Sequence, residues 1–359
     1  MTCSFPTFKR AHVLLGLCLL PASFSCAKKT TTAITAAAPA VPAAAAMVGP
    51  IGFAAENGGT TGGAGGRVVT AATLSELTAY ATNNEPLVIK ITSKISGGAE
   101  GASINVKSNK TLLGVGNAGF LEGVGLNITS RRNIIIQNLK FTMSTVTNTY
   151  SNDEGRQQVA VNDGDCVTIQ GSSQNIWVDH CEFFNKDPET QPNQDLYDGL
   201  VDAKAESAYI TISWSYFHDH HKCHLIGSSD KDGGDRKITF HHNYYSNIHE
   251  RVPVYRFGTG HMFNNYYRHV YGTGINARMG ACLRVEKNYF EDVKNPIVSK
   301  NSVVPGQWDV ADNFFAACSG SQPTTSTCAF MPPYRYAEML TPTAEVKTVV
   351  MRGAGVGKL

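Results

Sequence analysis

The chain has 359 residues, 31 basic and 29 acidic, with a formal net charge of +2. Only 17% are charged, against roughly a quarter in an average soluble domain, while 42% are apolar. The near-neutral balance excludes a dedicated nucleic-acid binder, which is basic overall, and the apolar share excludes a disordered chain.

Residues 1–26 read as an export signal. Lys9 and Arg10 form a basic start, Ala11 to Leu20 an apolar stretch, and Pro21 to Ala27 a small-residue exit. The apolar stretch is too short for a membrane-spanning helix, which needs about 20 residues. Cys26, followed by Ala27-Lys28-Lys29, has the setting of a lipid-modified cysteine, with ordinary cleavage nearby as the alternative. The expected destination is therefore outside the cell, either free or held at the surface by a lipid on Cys26. Residues 27–50, dominated by Thr, Ala and Pro, read as a flexible linker. Residues 51–359 read as one domain.

Helix patterns are scarce. Thr73 and Glu76 make a capping box ahead of a short amphipathic turn ending near Ala81. GVGNAG at 114–119 matches the dinucleotide-binding glycine spacing, but no helix pattern follows it, so it reads as a turn. The remainder is short runs of Val, Ile, Thr and Tyr separated by Gly, Asn and Asp, which is strand and turn chemistry.

Those runs recur as IIIQNLKF (134–141), IWVDHCEF (176–183), ITISWSYF (210–217), ITFHHNYY (238–245), HMFNNYY (261–267), LRVEKNYF (283–290) and WDVADNFF (308–315). Each alternates apolar residues, then carries a small polar residue, usually followed by an aromatic. The polar markers are Asn138, Cys181, Ser215, Asn243, Asn265, Asn288 and Asn313, mostly 22 to 34 residues apart. A short strand group at such a period is the mark of a solenoid. Strands of three to five residues turned by Asn and Gly suit a parallel β-helix, in which stacked amides satisfy one another inside the coil. The expected fold class is all-β, a single-stranded parallel β-helix with a short N-terminal capping helix.

Six cysteines follow the leader: Cys166, Cys181, Cys223, Cys282, Cys318 and Cys328. The sequence leaves their pairing open; Cys318 with Cys328 is the locally suggestive pair, closing a short polar loop. The run HDHHKCH gathers His218, His220, His221, Cys223 and His224, which are zinc-ligand types. Its members alternate across a strand, so it reads as a strand end with one functional member.

The charges are segregated. Between Asp153 and Asp202 there are 11 acidic and 2 basic residues, a local balance of −9. Asp163 and Asp165 are spaced to share one strand face. Asp198 and Asp202 open the next coil, so stacking would bring the pairs together. Converging carboxylates repel one another, and calcium, which prefers all-oxygen ligands, resolves that repulsion. From His241 to Phe290 the sign reverses, with Arg251, Arg256, Arg268, Arg278, Arg284 and Lys287 against Glu250 and Glu286. A cation site beside a basic strip suits a polyanion held by both.

IWVDH (176–180), DGLVD (198–202), ITISWSYFHDHHK (210–222), RVPVYR (251–256) and AGVGK (354–358) resemble the extracellular pectate lyases of polysaccharide lyase family 1. The likeness runs from about Gly52 to the C-terminus. It implies a right-handed parallel β-helix and calcium held by Asp165, Asp198 and Asp202. Asp163 would join when substrate brings further calcium. It also implies Arg251 as the catalytic base, with Lys222 and Arg256 holding substrate carboxylates and Arg278 a weaker contact. Asp198 stands where some relatives have Glu. Asp179 and His180 lie in a family motif and read as structural. The implied substrate is polygalacturonate, with no nucleic acid or protein partner and a monomeric enzyme expected. The implied reaction is β-elimination: a proton leaves C5, beside a neutralised uronate carboxylate, and the C4 glycosidic oxygen departs. The alternatives are a pectin lyase acting on methyl-esterified polymer and a non-catalytic polysaccharide-binding β-helix. The first branch lacks the calcium carboxylates and lines its cleft with tryptophan, whereas this chain has the four aspartates and three tryptophans.

Overall fold

Each recurring apolar run lies in register against its counterpart one coil away. In the computed structural model, which describes residues 1–2 and 49–359, the chain winds as a parallel β-solenoid. The expected export signal, Cys26 and nearly all of the linker lie outside the described residues. Three parallel sheets of ten, nine and eight strands run along the solenoid, and one coil contributes a strand to each. Ile134, Ile176, Ile210 and Ile238 form one file of the first sheet, all fully buried. Neighbours in such a file sit one strand spacing apart, about 4.8 Å. No helix among the described residues is long and apolar enough to cross a membrane.

The corner between the first and second sheets is a single left-handed residue in successive coils: His180, Trp214, His242, Asn264, Lys287 and Asp312, with φ between 45° and 54°. Immediately after it stands the polar ladder. Ser215 N–H donates to Asn243 Oδ1, Asn243 to Asn265, Asn265 to Asn288 and Asn288 to Asn313, through backbone N–H groups at 2.9–3.0 Å. The asparagine side-chain amides repeat the contacts and also reach backbone carbonyls such as Phe240 O, 2.9 Å from Asn265. Cys181 continues the ladder by donating its N–H to Ser215 Oγ at 3.1 Å.

Asn138, expected as the first marker, is one position out. Gln137 pairs with Asp179, so Asn138 aligns with the left-handed corner residue His180 and Leu139 takes the ladder place. Asn138 itself has φ 57° and caps the carbonyls of Gly114 and Gly116. Two residues beyond the ladder an aromatic file fills the interior: Phe141, Phe183, Phe217, Tyr245, Tyr267, Phe290 and Phe315, with neighbouring ring centroids 4.5–5.2 Å apart.

The capping box forms as read. Glu76 N–H donates to Thr73 Oγ1 and the Glu76 carboxylate accepts the Thr73 N–H, starting helix Leu74–Ala81, whose Leu77 and Ala81 join the core. A second helix, Thr343–Gly353, was not anticipated. It buries only Val346 and Val350, against Tyr266 on the outside of the second sheet, which is too thin an apolar stripe to stand out in sequence.

The disulfide also corrects the expectation: Cys282 pairs with Cys328. The Cys318 thiol instead turns toward the Phe290 carbonyl and packs against the core. Cys166, Cys181 and Cys223 are buried and free.

The N-terminal and C-terminal segments are tied to the outer face of the first sheet by a chain of buried polar groups. Phe53 N–H donates to Thr239 Oγ1, which meets the Tyr334 hydroxyl at 2.7 Å. That hydroxyl meets His261 Nδ1 at 2.7 Å, and His261 Nε2 meets Glu286 at 2.9 Å. Tyr336 and Arg284 also donate to Glu286. Burial alone would push the Glu286 carboxyl up, but His261, Arg284 and Tyr336 outweigh it and lower it to about 2.

Two predictions follow from this packing. Asn265→Ala strands several buried groups of the ladder and should destabilise the fold by about 3 kcal/mol, whereas Asn138→Ala, outside the ladder, should cost less. Comparing urea-unfolding midpoints checks the order. Glu286, depressed in the folded state, stabilises fully above its ordinary value of 4.5 and progressively less as pH falls toward 2. Glu286→Gln should therefore show a shallower loss of stability than wild type between those pH values; parallel acid limbs would contradict the assignment.

Candidate active site

Two glycines let two chain segments approach closely enough to gather carboxylates at the third sheet. Asp165 immediately precedes Cys166 and strand Val167–Gln170, and Asp202 lies in the neighbouring strand Val201–Ala203, opposite Thr168. Gly164, at φ 87°, lies where a Cβ would come 2.8 Å from the Asp198 nitrogen. Gly199 donates its N–H to Asp165 Oδ1 at 2.7 Å, and a Cβ there would stand 2.3 Å from Asp202 Oδ1. Carboxylate oxygens of Asp165, Asp198 and Asp202 thus lie within 4.8 Å of one another. Thr168 Oγ1 and Leu225 N–H orient Asp165 and Asp202 at 2.8 and 2.9 Å.

The electrostatics follow from the crowding. Asp165 and Asp202 are 1% exposed. Burial, then the charge of Asp202, pushes the Asp165 carboxyl up to about 8, and burial also raises that of Asp202. Burial acts the same way on Asp198, but Lys222 reverses it and holds that carboxyl low. A cation absent from the sequence reading sits in the group: Lys204 Nζ is 3.0 Å from Asp165 and 3.2 Å from Asp202. Burial works against its charge, but Asp202, Asp165 and Asp198 keep it protonated. The i, i+2 spacing of Asp202 and Lys204, which puts both on one strand face, was the available signal.

The donor set fits a hard divalent cation. Every donor of the trio is an oxygen, and once ionised the three carboxylates outnumber Lys204 and Lys222, the two ammonium groups that touch them. Asp202 Oδ2 is buried with no hydrogen-bond donor, although Lys204 is within ion-pair distance. Lys204 Nζ, 3.2 Å away, balances its charge without a hydrogen bond, which leaves an oxygen lone pair free for a further cation. Among the described residues this is the one group of three or more such side chains able to hold a metal. The HDHHKCH run does not converge: His220, Cys223 and His224 are buried, whereas His218 and His221 are only half-buried.

Asp163 stands apart from the trio. The chain around it is a turn, with Asn162 and Asp163 both left-handed at φ 52°, so the two-residue strand period does not apply. Its side chain is exposed, 3.5 Å from the Tyr150 hydroxyl.

The basic residues line the next coils. Lys222 is 7% exposed, with Nζ 2.9 Å from Asp195 and 2.8 Å from Asp198; Arg156 pairs with the same Asp195. Arg251, left-handed at φ 64° before the cis Val252–Pro253 bond, has Nε 3.6 Å from Glu250. Arg256 ends strand Val254–Arg256, in register with Arg278 one coil on. Arg278 Nε is buried without a partner, and burial, then Arg256 and Arg251, brings its guanidinium down to about 10. The other basic residues of the segment do not join. Arg284 lies on the first sheet with Glu286 and Asp309, and Lys287 pairs with Asp312. Asp195 and Asp230, which hold Lys222 and Arg256, escaped the sequence reading, and Glu250 near Arg251 entered it only in the charge balance.

An acidic trio and a guanidinium strip on successive coils can grip an anionic chain from both sides, one carboxylate through a cation and others directly. Comparisons with known proteins agree with that chemistry. The family model described as pectate lyase matches residues 27–359. A pectate trisaccharide-lyase of Bacillus licheniformis is 46% identical over 314 residues, covering 86% of each chain. Pectate lyase A of Emericella nidulans is 34% identical over 310 residues, 85% of each chain. The crystal structure of a pectate lyase from Bacillus sp. N165 in complex with trigalacturonate superposes with a TM-score of 0.75 at 34% identity, over 86% of this chain and 99% of that one.

Gly199→Ala would drive a methyl group onto Asp202 Oδ1, so any affinity of the trio for a hard divalent cation such as calcium should fall at least about tenfold while the strand fold stays intact. Calorimetric calcium titration beside far-ultraviolet circular dichroism checks this; unchanged affinity would place the cation elsewhere.

Proposed function

The chain belongs to the pectate lyase family, and from that premise we propose that it cleaves de-esterified polygalacturonate by calcium-dependent β-elimination. The observation that carries the reading is the pairing of an all-oxygen acidic trio with a guanidinium strip on successive coils of one sheet. Asp165, Asp198 and Asp202 would hold the calcium, with Asp163 recruited when substrate is bound. Calcium there supplies charge neutralisation of the uronate carboxylate, which makes the adjacent C5 proton more acidic.

The remaining work falls to side chains of this chain. Lys222 and Arg256 bind uronate carboxylates and fix the sugar's orientation, with Arg278 as a further contact. Arg251 removes the C5 proton, the C4–O bond breaks with the oxygen leaving on C1 of the preceding sugar, where it takes a proton from water, and a C4–C5 double bond forms at the new non-reducing end of the other fragment. A guanidine base requires surroundings crowded with positive charge, which bound calcium together with Arg256 and Arg278 would supply. We further propose a monomer that acts outside the cell, free or anchored through Cys26.

Polygalacturonate incubated with the protein should yield an unsaturated product absorbing in the ultraviolet with calcium and none with a chelator. Reducing ends without that absorbance would indicate hydrolysis instead. Arg251→Lys, assayed with saturating calcium, should lower kcat about 10³-fold with KM nearly unchanged; near-normal turnover would remove Arg251 as the base.

A further inference from the structure

Strand Tyr216–Lys222 holds the segment that carries Asp198 and Asp202 at two points. Lys222 pairs with the Asp198 carboxylate; two residues earlier, on the same strand face, His220 reaches the Asp198 backbone. His220 is 1% exposed, and its Nε2 lies 3.2 Å from the Asp198 carbonyl oxygen. A buried histidine of the HDHHKCH run thus touches the acidic trio through the main chain.

The proton of that imidazole has one place to be. A carbonyl oxygen only accepts, so Nε2 must carry the hydrogen. On the other side of the ring, Asn185 Nδ2 lies 3.3 Å from His220 Nδ1. Asn185 is not free to turn its amide round, because its Oδ1 accepts the Met143 N–H at 2.7 Å. Nδ2 therefore faces the ring as a donor and needs the lone pair of Nδ1. Burial, which disfavours the charged imidazolium, agrees with this neutral form. Each link from Met143 through Asn185 and His220 to Asp198 donates in a single direction.

The Asp198 carbonyl shares a rigid peptide plane with the Gly199 N–H, which donates to Asp165 Oδ1 at 2.7 Å. The other oxygen of Asp165 is served by Thr168 and Lys204. A half-turn of this peptide would set its carbonyl against the Asp165 carboxylate, oxygen to oxygen. Gly199 has no side chain to resist such a turn. His220 resists it, because the turned N–H would meet the Nε2–H, donor to donor.

Resting on the calcium reading proposed above, we propose that His220 is a positioning residue for the cation site: its Nε2–H locks the Asp198–Gly199 peptide, so that the Gly199 N–H orients Asp165. Groups that orient a metal ligand from behind typically cost about tenfold to a hundredfold in metal affinity when lost.

Calorimetric titration with calcium chloride, without substrate, tests this on wild type, His220→Leu, His220→Gln and Asn265→Ala. His220→Leu has no N–H to offer and should raise the calcium Kd at least about tenfold. His220→Gln carries an amide N–H in place of Nε2–H and should stay within about threefold of wild type. Asn265→Ala weakens the fold at another corner of the solenoid and should leave the Kd unchanged, which separates positioning from loss of stability. Wild-type affinity in the Leu variant, a Gln variant as weak as it, or an equal loss in Asn265→Ala overturns the proposal. If the Leu variant does not fold, nitrogen-15 NMR of the wild-type imidazole decides. The proton is expected on Nε2, and a proton on Nδ1 overturns the proposal. A wild type that binds no calcium would remove the calcium reading itself, and this inference with it.

Discussion

Parallel pairing in fixed register is the constraint on which everything else in this molecule depends. Each coil sets its residues one strand spacing from their equivalents above and below, so a position is good only if its side chain tolerates a copy of itself as neighbour. Isoleucine files and stacked rings satisfy this by dispersion, and the Ser215–Asn313 file satisfies it because an amide is donor and acceptor at once. A charge does not satisfy it. Carboxylates of Asp165 and Asp202 one coil apart repel, and burial makes that repulsion expensive. The fold tolerates them through Lys204 and leaves the site short of positive charge, which is what prepares it for a cation.

The same constraint orders the basic side. Arg256 and Arg278 are file neighbours, and burial, then the charges of Arg256 and Arg251, lowers the proton affinity of Arg278. Like charges thus crowd both halves of the site: on the basic side register stacks Arg256 on Arg278, and on the acidic side Asp202, in register with Thr168, meets Asp165 where the glycine turns let the two segments approach. The net charge of +2 conceals this, because a −9 segment and a +4 segment are averaged with a basic excess in the rest of the chain. Surrounding loops then balance the cations individually, with Asp195 on Lys222, Glu250 near Arg251 and Asp230 on Arg256.

What was legible in the sequence was whatever repeats. The strand files, the interior aromatic column and the Asn ladder from Asn243 to Asn313 are written at nearly constant spacing, so period alone finds them. Asn138 shows the limit, because a corner asparagine and a ladder asparagine look alike until register separates them by one residue. The strand face read for Asp163 and Asp165 fails for a related reason: the left-handed residues at 162 and 163 break the period that the spacing assumed. The Cys282–Cys328 bridge and the ion pairs of Asp195 and Asp230 join segments 26 to 46 residues apart along the chain. No local pattern encodes such meetings, which depend on where loops land after coiling. Lys204 is the exception that local reasoning should have found, since it shares a strand face with Asp202.

A crystal structure of the protein with calcium and trigalacturonate would test the central claim most directly. The account predicts calcium bound among Asp165, Asp198 and Asp202, with uronate carboxylates on that ion and on the strip of Lys222, Arg251 and Arg256. A trisaccharide seated away from the third sheet, or calcium bound without any of the three aspartates, would contradict it.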